Sequence, residues 1–157
     1  MDWRLSVGCE RVTSKERYVN IQGLAYERGV TSRTTRASSI CLQVLTLPPR
    51  HRASAHRHFG VETAGFVFSG SLELWFGEDL EECLLIEAGC YSYIPPGIPH
   101  LVANPSEDVE CIVAVTHGAG TPEVGIDLLD SLEIRFAQRH PQYSSIVVPV
   151  AKKVANG

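Results

Sequence analysis

An all-β domain, folded as a sandwich or barrel, is what this chain predicts on two observations. Its centre is a succession of short runs in which apolar and polar residues alternate with period two. Gly and Pro break those runs at intervals of roughly 8 to 12 residues, the rhythm of antiparallel strands joined by tight turns.

Taken in order, residues 1–39 carry the apolar pairs Tyr18-Val19 and Leu24-Ala25 and then a polar run from Thr31 to Ser39, expected as strands or turns followed by a loop. Ile40 to Pro48 is the first clear strand. His56 to His58 lies in the next run, and Thr63 to Ser69 follows it. Leu72, Leu74 and Phe76 alternate with Glu73 and Trp75, and the pause at Gly77-Glu78-Asp79 marks a hairpin turn. Cys83 to Glu87, Tyr91 to Ile94, His100 to Ala103 and Cys111 to Thr116 complete the series. Beyond it, Leu128, Leu129, Leu132 and Phe136 fit one face of a short helix, and Ile146 to Val150 can add a last strand. The expected organisation is residues 1–39 as N-terminal strands or an arm, 40–117 as the barrel and 118–157 as a C-terminal extension.

A chain of 157 residues, 44% of them hydrophobic, suits one domain with a sizeable core. The net charge is −4 and the 14 basic residues are scattered, which argues against nucleic acid or anionic membrane as a partner and for a small molecule or a protein. Five cysteines without a C-x-x-C pair suit free thiols in a reducing compartment, and the start has neither the apolar core nor the basic flank of a signal peptide, so a cytoplasmic location is expected. There is no Gly-rich phosphate loop and no nucleophile elbow, so serine or cysteine hydrolase chemistry has no support.

The chemistry sits in His56-Arg57-His58-Phe59-Gly60-Val61-Glu62. Residues two apart in a strand share a face at a separation of about 6.6 Å, so His56 and His58 present both imidazoles together. Glu62 follows across a turn and can bring a carboxylate to the same point. A third imidazole, His100, opens the strand after the rigid turn Pro95-Pro96-Gly97. Three neutral imidazoles and a carboxylate suit a divalent first-row metal with positions left open. Gln43 shares the parity of Cys41 and Leu45 and should point into the barrel, where a buried amide needs partners; a substrate contact and a structural role are equally open. Phe66 and Phe68 share the parity of Glu62 and can wall a pocket, Tyr93 is a similar case, and His117 can reach the barrel mouth.

The two segments resemble the paired motifs of the cupin superfamily. The second is matched at Gly89, Pro95, Gly97, His100 and Asn104, and the first at His56, His58, Glu62 and Gly70. Arg50 replaces the usual leading glycine, and one residue more than usual separates Glu62 from Gly70, so strict spacing falls on Thr63. A site of three histidines alone therefore stays open. The resemblance implies a double-stranded β-helix, or jelly-roll barrel, of a small single-domain kind that is often a homodimer. It also implies one divalent transition metal (Fe, Mn, Zn or Ni) held by His56, His58, Glu62 and His100, with Glu62 as the catalytic candidate. Gln43, Phe66, Phe68, Tyr93 and His117 are the substrate-binding candidates. Two functions follow as expectations: a small-molecule metalloenzyme of dioxygenase or sugar-isomerase type, or a non-catalytic ligand-binding barrel.

Overall fold

Alternation in the sequence becomes thirteen strands and one helix in the computed structural model, which describes residues 8–13 and 16–145. The strand expected at 146–150 lies outside the described residues. In chain order the elements are β1 (Arg17–Val19), β2 (Ala25–Val30), β3 (Cys41–Leu47), β4 (His51–Arg52), β5 (His56–His58), β6 (Thr63–Ser69), β7 (Ser71–Phe76), β8 (Glu82–Glu87), β9 (Tyr91–Ile94), β10 (His100–Ala103), β11 (Cys111–His117), β12 (Ile126–Leu128), α1 (Asp130–Arg139) and β13 (Ser144–Ser145).

One sheet runs β1-β2-β3-β11-β6-β9, all antiparallel; the other joins β12, β5, β10, β4 and β13, with β7 and β8 continuing from β10. This is the double-stranded β-helix. The period-two pattern decides what lies between the sheets. β3 turns Cys41, Gln43, Leu45 and Leu47 inward, and its neighbour β11 turns Cys111, Val113, Val115 and His117 inward, all of them buried. The N-terminal strands extend this sheet through Tyr26↔Leu45 and Arg28↔Gln43 instead of forming a separate unit.

The other sheet is covered on its outer side as well. Leu101 and Trp75 are cross-strand partners there, and Trp75 meets the ring of Phe136 on α1 at 5.4 Å. Helix α1 has acidic residues Asp130 and Glu133 in its first turn and Arg139 in its last, matching the helix dipole. It buries only Leu132 and Phe136. Leu128, expected on the same helical face, instead ends strand β12, because Ile126 to Leu128 pair with β5 before the helix begins.

Two turns place the site. Gly70 has φ +76°, and a Cβ there would stand 2.6 Å from the Glu110 carbonyl oxygen, so only glycine lets the chain pass directly from β6 in one sheet to β7 in the other. Gly97, in the Pro95-Pro96-Gly97 turn, has φ +81° and donates its N–H to the carbonyl of His58 at 2.6 Å. That bond ties the start of β10 to the end of β5.

Candidate metal centre

Strands β5 and β10 are antiparallel with His56 opposite His100, and β5 carries His58 on the same inward face. The three are buried at 4%, 4% and 3% exposure, and one ligand atom from each lies within 4.8 Å of the others. His56 Nδ1 donates to the Ser54 carbonyl at 2.7 Å, and His100 Nδ1 donates to the Ile98 carbonyl at 2.9 Å. A carbonyl can only accept, so both rings carry the proton on Nδ1 and keep the Nε2 lone pair free. Among the described residues, Nδ1 of His58 is buried without such an orienting hydrogen bond, and the backbone of Val124 is the polar group that acts on this ring.

Basicity at the site points the same way. Burial pushes His56 well below the ordinary histidine value, with the neighbouring His100 adding to the effect. Burial lowers His58 and takes His100 down to about 4. Neutral imidazoles with available lone pairs are what a divalent cation requires, so the donor set fits a metal of the imidazole-binding kind.

The sheet opposite contributes two further polar groups. His117 of β11 and Thr63 of β6 are cross-strand partners, and Thr63 Oγ1 lies 2.8 Å from His117 Nδ1. The His117 ring stands 5.0 Å from that of His58, and burial lowers its pKa to about 4. The four histidines and Thr63 line a cavity of about 50 Å³, room for three or four water-sized positions. Its other walls include Leu24, Leu45, Leu72, Ile94, Val113 and Val115, with polar relief from Gln22 and Ser92. Among the described residues no carboxylate, lysine or arginine lines it.

Several expected site residues lie elsewhere. Glu62 is exposed and its carboxylate accepts a hydrogen bond from the Tyr93 hydroxyl at 2.7 Å, an acceptor that raises the Tyr93 pKa. Neither group is in the cluster or the cavity lining. Phe68 is 59% exposed, and Phe66 packs against Phe68 and Tyr91 on the outer face of the sheet. The cause is shared. Inward parity in β6 begins at Thr63 and continues through Gly65 and Val67, so Glu62, Phe66 and Phe68 point away, and Tyr93, paired with Ala64, points away with them. Gln43 does point inward and is 1% exposed, but it meets the Tyr18 hydroxyl, which donates to its Oε1, and it does not line the cavity. Gln22 and Ser92 are polar lining residues that the sequence did not point to, and Thr63 lines the cavity at the motif position for which Glu62 was expected. Strict motif spacing back from Gly70 was the signal available for Thr63.

Against known proteins, residues 43–116 match the family model described as a cupin domain. The polyketide cyclase RemF from Streptomyces resistomycificus superposes with a TM-score of 0.66 at 19% identity, over 87% of this chain and 96% of that one. A predicted oxalate decarboxylase from Thermotoga maritima gives 0.56 at 16% identity, over 66% and 90%. A sugar phosphate isomerase from Silicibacter pomeroyi gives 0.52 at 18% identity, over 64% of this chain and 61% of its own. No curated protein shows significant sequence similarity to the chain. No helix among the described residues is long and apolar enough to cross a membrane.

Proposed function

We propose that this chain, whose residues 43–116 form a cupin domain, is a metal-dependent enzyme acting on a small, largely apolar organic molecule. The observation that carries the reading is the buried trio His56, His58 and His100, with ligand atoms within 4.8 Å of one another and two rings fixed in the metal-binding tautomer. A bound divalent metal would supply Lewis acidity or, if redox-active, a centre for oxygen chemistry. The protein's own part is positional. Carbonyls of Ser54 and Ile98 hold two rings, the Gly97 turn clamps β5 to β10, and apolar side chains form most of the rest of the cavity wall.

Between the two enzyme types, the cavity supports oxygenase-type chemistry over sugar-phosphate isomerisation. An isomerase needs a base beside the substrate carbon and a cation for the phosphate. Among the described residues the lining offers neither a carboxylate nor a lysine or arginine, and His117, lowered to about 4 by burial, is a weak base. Glu62, the base expected from the sequence, is exposed on the outer face. The non-catalytic alternative draws support from the small size of the cavity, about 50 Å³.

Elemental analysis of the purified protein, before and after reconstitution, tests the reading. The expected result is close to one equivalent of a transition metal in the wild type and loss of most of it in His56→Ala, His58→Ala and His100→Ala. Less than a tenth of an equivalent in the reconstituted wild type would overturn it. Oxygen consumption during a screen of small carboxylic and phenolic compounds then separates the enzyme from a passive binder.

A further inference from the structure

The trio occupies one side of the cavity, and the other side belongs to Thr63 and His117. Being direct partners on β6 and β11, they present their side chains on the same inward face, both buried, at 6% exposure each. The 2.8 Å contact between Thr63 Oγ1 and His117 Nδ1 is a counterpart of the carbonyl contacts that orient His56 and His100. A hydroxyl can donate as well as accept, so unlike the carbonyls it does not dictate the tautomer; when it accepts the Nδ1 proton, Nε2 of His117 is left as the free donor. The His117 ring is 5.0 Å from His58, as close as His58 is to His56 at 5.1 Å, but its nitrogen stands outside the 4.8 Å group of the other three, so the ring has to swing inward to share a metal with them.

Resting on the metal reading above, we propose that His117, steered by Thr63, is the fourth protein ligand. The centre is then built of imidazoles alone, and the small molecule it takes binds through an anionic oxygen of the carboxylate, enolate or phenolate kind. The charge balance carries the second half. Four neutral rings leave a divalent ion's charge of +2 uncompensated, and the lining contains no acid. Glu62 would have lowered that charge, but it faces outward to Tyr93. A buried charge is costly unless it is paired, so an open position facing apolar walls favours an anionic oxygen with an apolar body behind it.

The test uses the full chain, stripped with a chelator and titrated with Co²⁺. Affinity is read by chelator competition and ligation by the visible d–d spectrum. His117→Ala should bind Co²⁺ at least about tenfold more weakly with an altered spectrum, and Thr63→Val about tenfold more weakly, with Thr63→Ser restoring the wild-type value. Glu62→Gln should match the wild type in both readouts. Azide added to the loaded wild type should shift the spectrum saturably. Wild-type affinity and spectrum in His117→Ala, or loss of Co²⁺ in Glu62→Gln, would overturn the ligand assignment, and if His117→Ala fails to fold, Thr63→Val decides. A spectrum indifferent to azide would overturn the anionic ligand. Failure of the wild type itself to bind Co²⁺ would instead defeat the underlying metal reading.

Discussion

Replacing Glu133 by Gln should destabilise the fold by about 2–3 kcal/mol, although the residue sits on a helix outside the barrel. Arg52 on β4 is 2% exposed, and its guanidinium meets the Glu133 carboxylate at 2.6 Å. The same guanidinium donates to the Ala53 carbonyl at 3.1 Å and stands 5.4 Å from the centre of the Phe136 ring, while its Nε has no hydrogen-bond partner among the described residues. The second Glu133 oxygen accepts the N–H of Ala55, next to His56, at 2.8 Å. Removing one member of a buried pair costs roughly 3–5 kcal/mol, because the other charge stays buried and uncompensated. The lower figure applies here because Glu133 keeps 23% side-chain exposure and Gln can still accept one of the two hydrogen bonds. Urea unfolding followed by circular dichroism measures the loss, equivalent to a fall in Tm of roughly 5–10 °C for a domain of this size. Arg52→Met combined with Glu133→Gln should recover most of it, since an apolar side chain of similar length can lie on Phe136 without needing a counter-charge. A Glu133→Gln protein within about 0.5 kcal/mol of wild type, or a double variant as unstable as the sum of the singles, would refute the idea that this ion pair docks the helix.

The metal-free protein should lose stability as pH falls. His100 and His117 have folded-state values near 4 against 6.5 when free, so the unfolded chain binds more protons between those limits. Stability is then full above about pH 6.5 and should drop by on the order of 1–3 kcal/mol per pH unit towards pH 4. Urea midpoints unchanged between pH 7 and 5 would contradict this. Asn104→Ala should cost about 2–4 kcal/mol by equilibrium unfolding. The wholly buried amide donates to the carbonyls of Leu47 and Val109 at 2.9 and 2.8 Å and accepts from the Ser106 N–H at 2.9 Å, so its loss strands buried groups.

Strand positions were most legible where one face of the strand is buried, because burial writes a period of two. β3 and β11 show it without interruption, alternating buried and less buried residues along their whole length. β4, β12 and β13 were not legible, for the opposite reason. With two or three residues each they are too short to carry a period, and pairing with β5 and β4 defines them instead. Helix α1 lies between these cases. Leu132 and Phe136 gave its buried stripe, but Leu128 has the right spacing and the wrong structure, because a strand leads directly into the helix.

The site divides along the same line. His56 and His58 share a continuous strand, and His100 follows a turn that Pro95, Pro96 and Gly97 make rigid, so local rules suffice for all three. Glu62 required parity to be carried from β5 into β6, across Phe59 to Glu62, which belong to neither strand. Gly60 bends that link with φ +65°, and alternation has no meaning through such a residue. The single slip then moved the residues tied to Glu62 by parity, Phe66 and Phe68 along β6; Tyr93, paired with Ala64, faces outward beside them. Counting back from Gly70 avoids the bend, because from Ser69 to Thr63 the chain is continuous strand, and that count lands on Thr63. His117 is inward by the unbroken alternation of β11, and the ladder sets it opposite Thr63. A pattern anchored within a strand therefore locates the polar pair that faces the three histidines, whereas one extrapolated through a glycine turn puts a carboxylate where none lies.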